Sequence, residues 1–201
     1  MDDGIIGDLK ISIYDREIER YGGVHLMDIA EQVFFIDSFI VESILRMKRL
    51  GVLAMDQEDI AIISIIMYIQ GFYENFEEQM NFLAINYHTS DFMSEFKKKK
   101  QRLVSLCGCE NDWKELLSNE EGTSLYNLLN MRTVVLNKYR DEINNINQDP
   151  LFKNGIVASV IHLHCNRIIG TDRELERKLM AFSESIMYAK RYIMKRNEDH
   201  E

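Results

Sequence analysis

Two short segments of this 201-residue chain carry the residues best suited to chemistry. The first to consider is Ser159-Val160-Ile161-His162-Leu163-His164-Cys165-Asn166-Arg167, which gathers two imidazoles, a thiol, an amide and a guanidinium. Histidine titrates closest to neutrality, so an imidazole on a polar strip suits general acid or base work. His-x-His-Cys also invites a metal reading, but helical residues two apart point about 200° away from each other, so His162 and His164 cannot grip one ion together. The same geometry separates their surroundings. His164 aligns with Val157, Val160, Ile161 and Ile168 on an apolar side and reads as a satisfied core histidine. His162 aligns with Ser159 and Asn166 on a polar side, with Arg173 further along if the next helix brings it back, and fits either a functional or a solvated role.

The second segment, Tyr14-Asp15-Arg16-Glu17-Ile18-Glu19-Arg20-Tyr21-Gly22-Gly23, sets charges, two tyrosines and a Gly-Gly turn between a strand signal and a long helix. Such junctions are where sites tend to be built. Glu17 and Arg20 share a face only if the backbone turns there; a solvated turn with a local ion pair is the simpler alternative. Cys107-Gly108-Cys109 lacks a second cysteine pair at zinc-site spacing and reads as two unpaired thiols in a loop rather than as metal ligands. Lys97 to Lys100 reads as a solvated helix face that could attract an acidic peptide.

The elements that must position these residues are mostly helical. Lys10-Ile11-Ser12-Ile13-Tyr14 alternates polar and apolar residues and predicts one short strand over 10–14. Ile29, Val33, Ile36, Ile40 and Ile44 mark the buried stripe of a helix from about His25 to Leu50, ended by Gly51. Asp56 is the expected N-cap of a helix whose body, Ile60 to Tyr73, is apolar nearly all round and so belongs in the middle of the core. Further helices are expected over about Glu74–Tyr87, from a cap at Ser90 or Asp91 into the lysine run, over Leu125–Ile146, and over Leu151–Ile168 behind Pro150. Gly170 ends the last of these, and Thr171 with Glu174 predicts a capping box for a final helix to about Arg196. The segment Cys107 to Glu121 is the least periodic and predicts loop and short helix. The expected architecture is mainly α: a single helical domain over 1–201, with the short strand in front of a helical body from about 25 to 197.

Composition agrees with that architecture. One proline and ten glycines leave few breakers, and 46% hydrophobic with 28% charged residues describes a globular chain. A net charge of −9 argues against a protein whose main task is to hold a phosphate backbone. No signal peptide is visible, the uncharged run Ile60 to Tyr73 is too short to span a bilayer, and three cysteines fit a reducing cytoplasm.

The motif Ile13-Tyr14-Asp15-Arg16-Glu17-Ile18-Glu19-Arg20-Tyr21-Gly22-Gly23, with Ala30-Glu31-Gln32-Val33-Phe34 and Asp37-Ser38, closely resembles the C-terminal domain of lantibiotic dehydratases of the nisin and subtilin type, a domain also found in thiopeptide-type bacteriocin biosynthesis proteins. Ser159 to Gly170, followed by Asp172-Arg173-Glu174, resembles the same family's second motif. The resemblance implies a domain that eliminates glutamate from glutamylated Ser and Thr of a precursor peptide, giving dehydroalanine and dehydrobutyrine. A larger N-terminal domain of the family first installs the glutamate from glutamyl-tRNA, so no direct tRNA contact is expected of these residues.

By position, the resemblance points to Glu17, Arg20 and His162 as catalytic residues, and to Tyr21, Asn166 and Arg167 as substrate-binding ones. It implies no metal and no organic cofactor. The family's earlier strands, of the type Trp-Phe-Phe-Ile-Arg-Tyr with a following Asp-Pro-x-x-His-x-Arg segment, do not occur here, and they supply further active-site arginine. The expectation is therefore a C-terminal portion of the elimination domain, working with the N-terminal dehydratase portion or another maturation protein on a precursor peptide. A cytoplasmic location, attachment to a membrane-bound maturation complex and homodimerisation through exposed apolar surface are compatible with it. Two alternatives stand beside this one: a non-catalytic helical peptide-binding or scaffold module, and a relative of the pyridine-forming cycloaddition enzymes of thiopeptides.

Overall fold

A computed structural model describes residues 17–86, 90–107 and 113–198. These residues form eight α-helices joined by short turns: α1 (Val24–Arg49), α2 (Gln57–Phe72), α3 (Phe76–Asn86), α4 (Met93–Leu106), α5 (Glu120–Asn130), α6 (Thr133–Ile146), α7 (Pro150–Ile168) and α8 (Arg173–Glu198). No strand occurs among the described residues, and the strand expected over 10–14 lies outside them. The mainly helical class read from the sequence is the observed one.

Helix α2 is the hub. Burying residues all round its circumference, from Ile60 and Ile63 to Tyr68 and Phe72, it packs against α5, α6, α7 and α8. A helix apolar on every side must be surrounded, because any face left in water would forgo the ~25 cal/mol per Å² that burial contributes. The longer helices α1 and α8 are amphipathic and lie outside it. The stripe of α1 buries Ile29, Val33, Ile40 and Ile44 as expected, whereas Ile36 is only half-buried and Asp37 takes an inward position instead.

Asp56 stands at the N-cap of α2 as expected, although its side chain makes no capping hydrogen bond. Two local expectations are corrected. The first turn of α8 is capped by Asp172, whose Oδ1 accepts from the backbone N–H groups of Glu174 and Leu175 at 3.0 Å each, in place of Thr171. The single helix expected over 125–146 is two, α5 and α6, broken at Met131 and Arg132. No glycine or proline marks that break; the guanidinium of Arg132 is drawn into the core by acceptors on α1 and α2, and tertiary pairing overrides local propensity.

The front of the domain is a 3₁₀ turn, Ile18–Tyr21, which contacts both α1 and α7. Gly22 ends it with φ of 93°, its N–H donating to Glu19 O, while the Gly23 N–H donates to Ile18 O. A Cβ at Gly22 would run into Leu26 and come within 2.8 Å of Ile156 Cδ1, so both the positive φ and the close approach to α7 require glycine. No helix among the described residues is long and apolar enough to cross a membrane.

Candidate active site

Helix α7 presents its two histidines in different directions, and each is held by a carboxylate from another helix. His162 is half-exposed. Its Nδ1 lies 2.8 and 3.0 Å from the two carboxylate oxygens of Glu176, in the first turn of α8. A carboxylate can only accept, so Nδ1 carries the proton of this contact. On the other side of the ring, Asn166 Nδ2 donates to His162 Nε2 at 3.2 Å. The expected return of the next helix to His162 does occur, but the residue that meets the imidazole is Glu176, one turn beyond Arg173.

Glu17, at the N-cap of the 3₁₀ turn, and Arg20, within it, lie three apart, the spacing that brings side chains to one side of such a turn. Their side chains form an ion pair at 3.0 Å on the surface. The turn required to put them on one face is therefore present. Tyr21 is buried beneath it, its ring edge-on to Phe34 at 4.8 Å and its carbonyl accepting from the Tyr139 hydroxyl at 2.7 Å. Phe34 links the two motifs, because the Arg167 guanidinium lies 5.4 Å from the centre of the same ring. The structure thus brings Tyr21 and Arg167 to one aromatic ring and His162 to Asn166. The Glu17–Arg20 pair and the His162 cluster share α7 as a support, through the turn that contacts it, without a described hydrogen bond between them.

His164 faces the core, as its apolar alignment predicts. Its Nδ1 donates to Asp37 Oδ1 at 2.8 Å, and its Nε2 lies 2.8 Å from Ser64 Oγ on α2. Arg132 donates through Nη2 to both the Oγ and the carbonyl of Ser64, and its Nη1 donates to Asp37 Oδ1 at 3.3 Å. The guanidinium also stacks 3.7 Å over the Tyr68 ring. Serine, histidine and aspartate line up here as in a hydrolase triad, yet all three are fully buried and the hydroxyl is engaged by Arg132. This is a structural lock joining α1, α2, α7 and the α5–α6 break. Arg167 reaches its edge, 3.5 Å from Asp37 Oδ2.

Charge in the lock follows from its geometry. Burial pushes the Asp37 carboxyl up, but His164 and Arg132 outweigh it and hold the group well below the usual carboxylate range. The same attraction pushes His164 up, yet burial, helped by Arg132 and Arg167, prevails and holds its pKa below the ordinary 6.5. His164 is therefore neutral, with its proton on Nδ1. The unfolded chain takes up a proton at His164 as pH falls below 6.5 while the folded chain does not, so this part of the stability is complete above 6.5 and is lost as pH falls. Asp37 adds a second loss as pH falls below its ordinary 3.8. Denaturant titrations from neutral to acid pH should show a decline beginning near 6.5, and His164→Gln should flatten its upper limb.

Asp37, Ser64, Arg132 and Glu176 are the residues that sequence reasoning left unassigned. Asp37 and Glu176 had usable signals: an acid on the buried stripe of α1, and an acid one turn into the helix that follows the short 169–172 link. Ser64 and Arg132 had none. Among the described residues no three His, Cys, Asp or Glu side chains cluster as metal ligands would. Cys107 and Cys165 are buried, and burial pushes the Cys107 thiol up to about 12; Cys109 lies outside the described residues.

Comparison with known proteins identifies the family of the fold. Residues 1–187 match the family described as lantibiotic biosynthesis dehydratase, C-terminal. The subtilin biosynthesis protein SpaB of Bacillus subtilis is 38% identical over 191 residues, covering 94% of this chain and 18% of that protein. The nisin biosynthesis protein NisB of Lactococcus lactis subsp. lactis is 24% identical over 192 residues, again 94% of this chain and 18% of its own length. The crystal structure of the tRNA-dependent lantibiotic dehydratase MibB from Microbispora sp. 107891 shares the fold, with a TM-score of 0.75 and 21% identity over 87% of this chain and 19% of that one. The chain spans less than a fifth of the length of each of these relatives. The two motifs that resemble the family, one ending at the Gly22-Gly23 turn and one on α7, are matched along with the helical body between them, and the chain belongs to the lantibiotic biosynthesis dehydratase C-terminal family.

Proposed function

We propose that this chain supplies the lyase site that eliminates glutamate from glutamylated Ser and Thr of a lantibiotic precursor peptide, in company with the N-terminal portion of a dehydratase. The observation that carries the reading is His162: an accessible imidazole gripped by a carboxylate through one nitrogen, with the other nitrogen turned to a displaceable amide. Removing the proton alpha to a peptide carbonyl builds enolate-like charge. The Cα–H pair becomes the new double bond, the Cβ–O bond breaks, and glutamate leaves as a carboxylate. His162 takes or returns the proton. Arg20, oriented by Glu17, stabilises one of the two anions through charge-assisted hydrogen bonds. Asn166 and Arg167 are the groups proposed to meet the peptide; Tyr21, expected to join them, is buried and instead holds the Arg20 turn from beneath. The chemistry asks for no metal or organic cofactor.

A second reading, a peptide-docking module without catalysis, is favoured by one feature. Between α4 and α8 lies a groove of about 840 Å³ walled by Met93, Phe96, Tyr188 and Tyr192, and its charged lining is Lys97 and Lys100. A groove of that kind suits an acidic amphipathic helix. The readings separate in one experiment. A synthetic peptide carrying O-glutamyl serine is incubated with the chain alone, and with the chain plus the N-terminal remainder of a SpaB-type dehydratase. Loss of glutamic acid on complementation supports the lyase; its absence from both mixtures supports the module.

A further inference from the structure

We propose that Glu176 is a positioning residue for His162, fixing the imidazole so that Nε2 is the atom through which its proton traffic passes; this rests on the lyase reading above. The two carboxylate oxygens straddle Nδ1 at 2.8 and 3.0 Å, which anchors the ring plane and commits the Nδ1 proton. Only Nε2 is then left with a free lone pair, and its present partner is the Asn166 amide, one helical turn on at the longer distance of 3.2 Å. Glu176 is itself mostly buried, its side chain 13% exposed against 29% for His162, so water competes weakly for the carboxylate and the pair faces outward through the imidazole.

The consequence for the reaction is directional. When Nε2 receives the Cα proton, the Cα–H electrons form the Cα=Cβ bond and the Cβ–O pair departs on the glutamate carboxylate. The resulting imidazolium is stabilised by Glu176 through the Nδ1–H it already holds, and its Nε2 proton passes to the departing carboxylate or to water. A carboxamide in place of Glu176 can turn its NH₂ toward Nδ1, which forces the proton onto Nε2 and blocks that path, the logic by which the aspartate of a serine-protease triad fixes its histidine. Asn166 acquires a defined part in the same scheme: it holds Nε2 until substrate displaces it.

The test uses Glu176→Gln and Glu176→Asp in the complemented enzyme, together with ¹⁵N-histidine NMR of the chain. In the unaltered protein at alkaline pH, long-range ¹H–¹⁵N correlations should show His162 with Nδ1 protonated and Nε2 bare. Glu176→Gln should lower the rate of glutamate release about 100-fold with KM little changed, and should convert His162 partly or wholly to the Nε2–H form. Glu176→Asp should recover part of the rate and the original tautomer. An Nε2–H tautomer in the unaltered protein overturns the proposal, as does a Glu176→Gln enzyme that releases glutamate at the unaltered rate. Failure of the unaltered enzyme to release glutamate removes the lyase reading itself, which sets the two failures apart.

Discussion

His162→Ala, assayed with the N-terminal dehydratase portion supplied, is expected to accumulate glutamylated peptide and to lose roughly 10²–10⁴-fold in glutamate release, the usual contribution of a positioned acid–base group. The fold should persist. His162 is half-exposed and contributes little to the core; its removal leaves Glu176 without its partner, at a cost of about 1 kcal/mol. Mass spectrometry of the peptide reads the activity, and circular dichroism with a thermal melt confirms that the helices remain. His164→Ala would give the opposite pattern: a damaged fold, with any loss of activity following from it. The contrast between two histidines two residues apart is a direct check on the assignment, because only their orientation on α7 distinguishes them.

The largest effect on stability is expected at Asp37. Asp37→Ala removes the acceptor of both His164 and Arg132, leaving a fully buried guanidinium with no carboxylate beside it. Breaking a buried ion pair from one side typically costs 3–5 kcal/mol, which is a large fraction of the ~5–15 kcal/mol that holds a domain together. At about 2–4 °C per kcal/mol for a chain of this size, the melting temperature should fall by roughly 6–20 °C. Asp37→Asn, which keeps an acceptor for the Nδ1–H of His164 but not the charge facing Arg132, should fall between. A melting temperature for Asp37→Ala within about 2 °C of the unaltered protein would show that the lock joining α1, α2 and α7 does not bear on stability.

Periodicity made the helices legible, because burial is what periodicity records. The all-round apolar run Ile60 to Tyr73 could only be central, and the 3.6-residue stripe of α1 could only face it. Pro150 and Gly170 bracket α7, so the separation of His162 from His164 follows from helical spacing alone. What was hidden depends on residues distant in sequence. The α5–α6 break carries no breaker residue; it exists because Arg132 finds Asp37 and Ser64, which lie 95 and 68 positions away. The Asp172 cap displaced Thr171 through a choice between neighbouring acceptors that propensity does not resolve. Glu17 and Arg20 were recognisable as a pair through the family motif, while the 3₁₀ turn that makes them neighbours depends on the packing of Gly22 against α7.

The fate of the glutamyl group distinguishes elimination from every alternative. When the chain is combined with the N-terminal portion of a SpaB-type dehydratase and a peptide bearing O-glutamyl serine, mass spectrometry should show the peptide lighter by one glutamic acid, with dehydroalanine at the modified position. A product heavier than that by one water, with serine restored, or a peptide left unchanged, would contradict it.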